Sequence, residues 1–390
     1  MFKVVVDVTP IDSQPSGVGL YVFNLVEALS KLEHTESFDS FQLGLAYQPG
    51  LKNWLQGKLD FPENLQHYSN LYQIPVPVRL SNLFLDHLPQ IFPHYLESIL
   101  EKPNIFHGTN YTVYPYKDIQ KIMTIYDLSF IRYPEYINSV VKQYTKRIIK
   151  CLEWTDLIIT ISESSKQDII NYLEFPSKKI FVTPLASRYN SNFLSNLNLE
   201  KEVENINYDF SKPYLLFVST IEPRKNINAI ISAFNFLKKR HKIEHQLVLV
   251  GRKGWNYEPI FTAIENSPWK KEIHHLDYLS NELVALFYSK AEVFLYPSHY
   301  EGFGLPVLEA MTLGSPVIAS NTSSIPEVIG NAAILIDPND YMQLAEAILQ
   351  VISDSQLRQN LINKGKIRAD LFSWERTAKE TLKAYKSIIQ

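Results

Sequence analysis

The sequence predicts an α/β chain of two doubly wound domains. Three observations carry this: short apolar runs alternate with helical patterns in both halves, a polar stretch rich in Asn and Ser separates the halves, and two strand-to-helix turns gather charge and glycine. In the first half the expected strands are Phe2 to Val8, Phe41 to Ala46, Leu71 to Pro75, Ile105 to His107, Ile122 to Tyr126, Leu157 to Ser162 and Ile180 to Pro184. Helical patterns run from Leu20 to Leu32 and from Glu135 to Trp154. Domain one is expected over residues 1–190, with the polar stretch 191–212 as a linker. The second half, 213–373, repeats the alternation, with strands at Tyr214, Gln246, Ile273, Val293, Pro316 and Ala332 and a helix from Ile227 to Arg240. Residues 374–390 form a last helical segment.

A chain of 390 residues is long enough for two separate cores, and 45% hydrophobic with 20% charged residues is ordinary for a globular protein. The net charge of −3 gives no reason to expect a nucleic-acid partner. Cys151 is the single cysteine, so no internal disulfide forms and a reducing compartment is expected. MFKVVVDVTP is too short an apolar run for a signal peptide and reads as a strand, and no stretch is long enough for a membrane span. The expected location is cytoplasmic, with peripheral membrane contact allowed.

The chemistry concentrates at EGFGLPVLE, Glu301 to Glu309. Pro306 suits the first helical position and Gly314 the position past the end, so a short helix opens at the turn. Gly302 and Gly304 let backbone approach a ligand, and the first-turn amides of a helix favour an anion such as phosphate. Glu301 lies before the helix and Glu309 a turn inside it, placed to accept hydroxyls on either side of that phosphate. A lone glycine turn with a first-turn glutamate is common, and a dipole partner is the competing reading. A second cluster, EPRKN at Glu222 to Asn226, lies between the run Tyr214 to Thr220 and the next helix. Strand-to-helix turns line one edge of a parallel sheet, so Arg224 and Lys225 can face the same crevice. Cations at a helix start oppose its dipole unless an anion sits there.

Together with SGVGLYVFNLVEAL, FHGTNY, TIYDLSF, TISESSKQDI and NTSSIPEVIG in the same order, these motifs make the chain resemble family 4 of the retaining, nucleotide-sugar-dependent glycosyltransferases. The resemblance implies a GT-B architecture, two Rossmann-like domains facing across a cleft, the first on the acceptor side and the second on the donor side, with the C-terminal helix crossing back to the first. It implies that Arg224 and Lys225 bind the donor diphosphate, Glu301 the transferred sugar, amides of Phe303 to Leu305 the phosphate, and Glu309 the ribose. The expected activity is transfer of a hexose, of mannose or glucose type, from a nucleoside diphosphate sugar to a glycan or lipid-linked hydroxyl in surface polysaccharide or glycoconjugate synthesis. No cofactor is expected, and no metal, since the chain has no Asp-x-Asp pair to bridge phosphates. A non-catalytic sugar-nucleotide binder and a nucleotide-sugar epimerase of similar shape are the alternatives.

The chain departs from the family at two positions. Ser219 stands where many members carry an arginine, five residues before Arg224, and Tyr126 where histidine is common. A phenol can hydrogen-bond a hydroxyl, but with a pKa near 10 it does not carry protons at neutral pH. Further candidates on the acceptor side are Gly17 and Gly19 after the first strand, His107 at the end of another, and Asp127 beside Tyr126. Each has a plain structural reading: a tight turn for the glycines, a satisfied core residue for His107. Lys142, Lys146 and Lys150 recur at helical spacing beside Arg147, either as a solvated face or as a surface for anionic lipid.

Overall fold

Val4, Val5 and Val6 are fully buried, and so are Leu215, Leu216 and Phe217. Unbroken apolar runs of this kind belong to parallel strands covered on both faces, and each run lies inside its own parallel sheet. The computed structural model describes residues 1–11, 17–34, 41–89, 93–133, 139–195, 203, 206 and 208–389, with side chains 93–95 and 139–144 outside that set. The chain forms two units, Met1–Leu185 with Trp374–Gln390, and Ala186–Ser373.

In the first unit the strands are β1 (Phe2–Asp7), β2 (Phe41–Tyr47), β3 (Leu71–Gln73), β4 (Ile105–Gly108), β5 (Gln120–Thr124), β6 (Leu157–Thr160) and β7 (Ile180–Val182). Its helices are α1 (Val18–Glu33), α2 (Leu51–Leu55), α3 (Val78–His87), α4 (Pro93–Ile99), α5 (Ser129–Arg132), α6 (Ser139–Leu152) and α7 (Glu163–Leu173). The sheet order is β3-β2-β1-β4-β5-β6-β7. Strand order reverses between β1 and β4.

The second unit holds β8 (Tyr214–Val218), β9 (Gln246–Val250), β10 (Ile273–Leu276), β11 (Val293–Tyr296), β12 (Val317–Ser320) and β13 (Ile334–Ile336). Between and after them come α8 (Ile227–His241), α9 (Glu258–Glu265), α10 (Asn281–Lys290), α11 (Leu305–Thr312), α12 (Ile325–Ile329), α13 (Tyr341–Ser353) and α14 (Ser355–Ala369). The order β10-β9-β8-β11-β12-β13 reverses between β8 and β11. At such a reversal the two outgoing loops diverge to opposite faces and leave a crevice between them.

Helix α15 (Trp374–Lys386) returns to the first unit and packs along α1. Its anchors are polar as well as apolar: Thr377 Oγ1 donates to the Pro184 carbonyl at 2.6 Å, and the Tyr385 hydroxyl meets His107 Nδ1 at 2.7 Å. Several strands end before the apolar run does. β5 stops at Thr124 rather than Tyr126, β6 at Thr160 because Ser162 caps α7 through the Ser165 N–H, and β7 at Val182, ahead of Pro184, which has no N–H to donate. The stretch 191–212 is described only in part. Where it is described, Tyr208 and Phe210 pack on Phe287 at 5.3 and 4.8 Å between ring centres. Among the described residues no helix is long and apolar enough to cross a membrane.

Candidate active site

The loops leaving β8 and β11, on either side of the strand reversal, are stitched together by hydrogen bonds to main-chain carbonyls. The Asn226 side-chain amide donates to the carbonyls of Pro297 (3.1 Å) and Pro338 (2.6 Å), and the His299 N–H donates to the Arg224 carbonyl at 2.9 Å. Asn226 takes a left-handed conformation, φ 57°, which asparagine tolerates and which turns the chain from Pro223–Lys225 into α8. The stitching brings Arg224 and Lys225 against Glu301, 77 and 76 residues away in sequence.

Lys225 Nζ donates to Glu301 Oε1 at 2.7 Å and to the Tyr296 hydroxyl at 3.0 Å. Arg224 Nη1 donates to the Tyr300 carbonyl at 2.6 Å and reaches Glu301 Oε2 at 3.3 Å, while its Nη2 meets Glu222 Oε1 at 2.8 Å. The Glu301 backbone is fixed too, its N–H donating to Ser323 Oγ and its carbonyl accepting from Ser324 Oγ. Lys225 and Glu301 are buried. Burial pushes the Glu301 carboxyl up, but the charges of Lys225 and Arg224 override it and hold the pKa down to about 2. Burial likewise draws the Lys225 ammonium below its usual value, opposed by the Glu301 charge. The two cations, expected to be uncomfortable without a bound anion, have carboxylate partners from the chain itself. That corrects the sequence argument, which took their position as a cost.

Gly304, φ 106°, turns the chain into α11 and offers no side chain to cap it. That φ strains any residue with a side chain, so the turn calls for glycine; a Cβ there would also lie 2.7 Å from Ile325 Cδ1, the mobile end of a side chain that can shift. Leu305 is the first helical residue and Pro306 the second, one step later than the sequence suggested. Phe303 is buried against Phe372, 5.8 Å between ring centres.

Glu309 lies inside α11 and is 1% exposed. Its partner is a residue that sequence reasoning missed. Arg188 Nε donates to Glu309 Oε1 at 2.6 Å, and Arg188 Nη1 to Asn281 Oδ1 at 3.0 Å. The Tyr189 hydroxyl donates to the Asn281 carbonyl at 3.1 Å, and the Tyr288 hydroxyl approaches Glu309 Oε2 at 3.4 Å. Burial alone would lower the Arg188 pKa, but the Glu309 charge overrides it and raises it. With 121 residues between the partners, no spacing rule links them.

The acceptor-side candidates fall in the first unit. His107 is fully buried, bonded through Nδ1 to Tyr385 and through Nε2 to Thr124 Oγ1, both at 2.7 Å. Burial pushes its pKa down to about 3, so it stays neutral. Of the two readings open for His107, the structure shows the satisfied core residue, and it anchors α15. Tyr126 is also buried, and its hydroxyl donates to the Thr109 carbonyl at 2.6 Å. Its ring meets Tyr21 and Tyr111 edge-on at 5.2 and 5.5 Å. Asp127 accepts the Ser129 N–H at 2.9 Å and opens α5. Gly17 is exposed with φ 47° at the start of α1, and Gly19 is buried within it. Cys151 is buried and free, its thiol pushed up to about 12 by burial, which leaves it unreactive.

Residues 200–368 match the family model for glycosyl transferases group 1. The chain is 30% identical over 388 residues to the O-antigen chain mannosyltransferase B of Escherichia coli, covering 98% of this chain and 99% of that protein. The chain belongs to the glycosyl transferases group 1 family. It is a glycosyltransferase that draws on a nucleotide-sugar donor. Two solved structures share the GT-B fold along the whole chain. Sucrose-phosphate synthase from Thermosynechococcus elongatus superimposes with a TM-score of 0.71 at 20% identity, covering 100% of this chain and 99% of that one. Anabaena HepE, solved with UDP and glucose, gives 0.69 at 15% identity, covering 99% and 100%.

Removing Arg188 leaves the buried Glu309 carboxylate without its counter-ion. Arg188→Ala is expected to cost about 3 kcal/mol of stability, and Arg188→Ala with Glu309→Gln to recover most of it, as read from denaturant unfolding of the two variants.

Proposed function

We propose that this transferase is retaining and moves a hexose, mannose by preference, from a nucleoside diphosphate to a hydroxyl of a growing surface polysaccharide. The likeness to the O-antigen chain mannosyltransferase supports the sugar and the polymer. The ion cluster of Glu301, Lys225 and Arg224 carries the reading of the site. In this proposal the donor diphosphate lies against Arg224, Lys225 and the uncapped start of α11, with Gly302 and the amides of Phe303 to Leu305 beside it. Glu301 accepts a hydroxyl of the transferred sugar, and Glu309, oriented by Arg188, accepts the ribose.

The chemistry follows from those positions. As the bond from the anomeric carbon to the diphosphate oxygen breaks, negative charge grows on the leaving group, and Arg224 and Lys225 stabilise it without reorganising. The acceptor hydroxyl enters on the same face, and its proton passes to the departing diphosphate. No residue of the first unit needs to carry that proton, which fits Tyr126 and His107, both buried with their polar atoms already bonded. The cations do the work often given to a divalent ion, so the reaction is proposed to be metal-independent. The acceptor is proposed to be lipid-linked, which puts the enzyme in the cytoplasm at a membrane surface, in contact with anionic lipid.

The two glutamates are expected to fail differently. Glu301→Ala should lower kcat by about a hundredfold or more with little change in donor KM, whereas Glu309→Ala should chiefly raise donor KM. Equal loss of donor binding in both would defeat the assignment. Transfer should also survive excess EDTA, and a complete loss restored by Mg²⁺ or Mn²⁺ would overturn the metal-free reading.

A further inference from the structure

Helices α2 and α3 leave an unusual amount of apolar surface in solvent. Trp54 and Leu55 on α2 are exposed, the latter to 71%, and so are Leu80, Leu83, Phe84 and Leu88 along α3 and just past its end. On α3 the positions 80, 83 and 84 recur at helical spacing, while Ser81 and Leu85 on the other side are the ones buried. The helix therefore has two apolar sides, and only one of them is used by the core. Scattered exposed leucines are ordinary, but six exposed large apolar side chains on and beside two linked helices mark a contact surface.

The two helices and α6 are held together. The Trp54 indole N–H donates to the Pro75 carbonyl at 2.8 Å, just before α3, and the Val78 N–H donates to Pro49, just before α2. At the other end of α3, Arg147 of α6 pairs with the Asp86 carboxylate at 3.1 Å, and Lys150 Nζ donates to the Asp86 carbonyl at 2.6 Å. Lys150 of the lysine run and Arg147 beside it thus pin α6 to α3, and Lys146 and Ile149 remain exposed next to them. The Lys142 side chain lies outside the described residues. The lysines and arginines of the three helices are Lys52, Arg79, Lys142, Lys146, Arg147 and Lys150; Asp86 is their one acid, and it is already paired. This surplus of positive charge occurs on a chain whose net charge is −3.

Apolar side chains that include a tryptophan, flanked by cations, match the boundary between acyl chains and anionic headgroups. We propose that the face built from α2, α3 and α6 docks on a bilayer containing anionic lipid, with Leu55, Leu83 and Trp54 entering the headgroup boundary and Lys146 meeting the charge. The proposal deepens the lipid-linked acceptor reading and rests on it for its purpose, but its test is independent of catalysis.

The test is flotation of the full chain with vesicles of phosphatidylcholine alone and of phosphatidylcholine mixed with phosphatidylglycerol, with transfer to a soluble acceptor measured in parallel. The unaltered protein should float with the mixed vesicles and far less with the neutral ones. Leu55→Gln with Leu83→Gln should lower binding to mixed vesicles by about tenfold or more, since two exposed leucines lose their burial, while transfer to the soluble acceptor is kept. Lys146→Gln should reduce the preference for phosphatidylglycerol. No binding of the unaltered protein to mixed vesicles would overturn the proposal. So would a dimer in solution that the paired leucine changes dissociate while vesicle binding stays unaltered, because the face would then belong to a second copy. Vesicle binding by a protein that transfers no sugar would leave this surface standing and sink the catalytic reading instead.

Discussion

Glu301 is an ionised carboxylate held inside the protein by two cations from a different loop, and the arrangement of the second unit depends on that contact. Lys225 and Glu301 are both buried, so neither charge is tolerable without the other. Their pairing requires the loops after β8 and β11 to lie side by side, which the strand order supplies by reversing between those strands. The Asn226 side-chain amide and the His299 N–H then lock the loops by donating to main-chain carbonyls. The pair is costly to assemble for stability alone, since well-packed apolar residues of similar volume often serve as well. Under the proposed roles, receiving a diphosphate beside a sugar gives that cost a purpose.

Glu309 repeats the theme one helical turn further on. Its carboxylate is almost fully enclosed and leans on Arg188, three residues after the chain leaves the first unit. Asn281, Tyr189 and Tyr288 surround the pair with polar contacts, so the guanidinium has little freedom to turn away. Each glutamate of the Glu-x7-Glu pattern therefore has its own counter-ion. Under the proposed roles, both sides of the donor phosphate meet a carboxylate whose orientation is fixed before the donor arrives.

Much of this was legible in the sequence because it depends on local signals. Every expected strand is present, since the apolar runs of a doubly wound sheet read as strands without help from distant residues. The short helix between Gly304 and Gly314 was set by its glycines and Pro306. The partnership of Arg224 and Lys225 with Glu301 was anticipated as a shared crevice but not as direct ion pairs, because a strand-to-helix turn says which edge a residue is on and not what it touches. Arg188 was invisible: nothing in SRYN signals that its arginine pairs with a carboxylate 121 residues away. His107 stayed open between two readings for a related reason. A histidine closing a strand run before a glycine looks like a site residue until α15 returns to cover it, and that return is a tertiary event.

The central claim is that Glu301 neutralises the cations that a diphosphate would otherwise take up, and it is tested most directly by calorimetric titration of the nucleoside diphosphate product into the unaltered protein and into Glu301→Gln. Removing a like charge beside the diphosphate should make the product bind more tightly to the variant, by about tenfold for one screened charge contact, even though the variant transfers sugar poorly. Weaker binding to Glu301→Gln, in a protein that melts as the unaltered one does, would contradict the account and place the diphosphate away from Arg224 and Lys225.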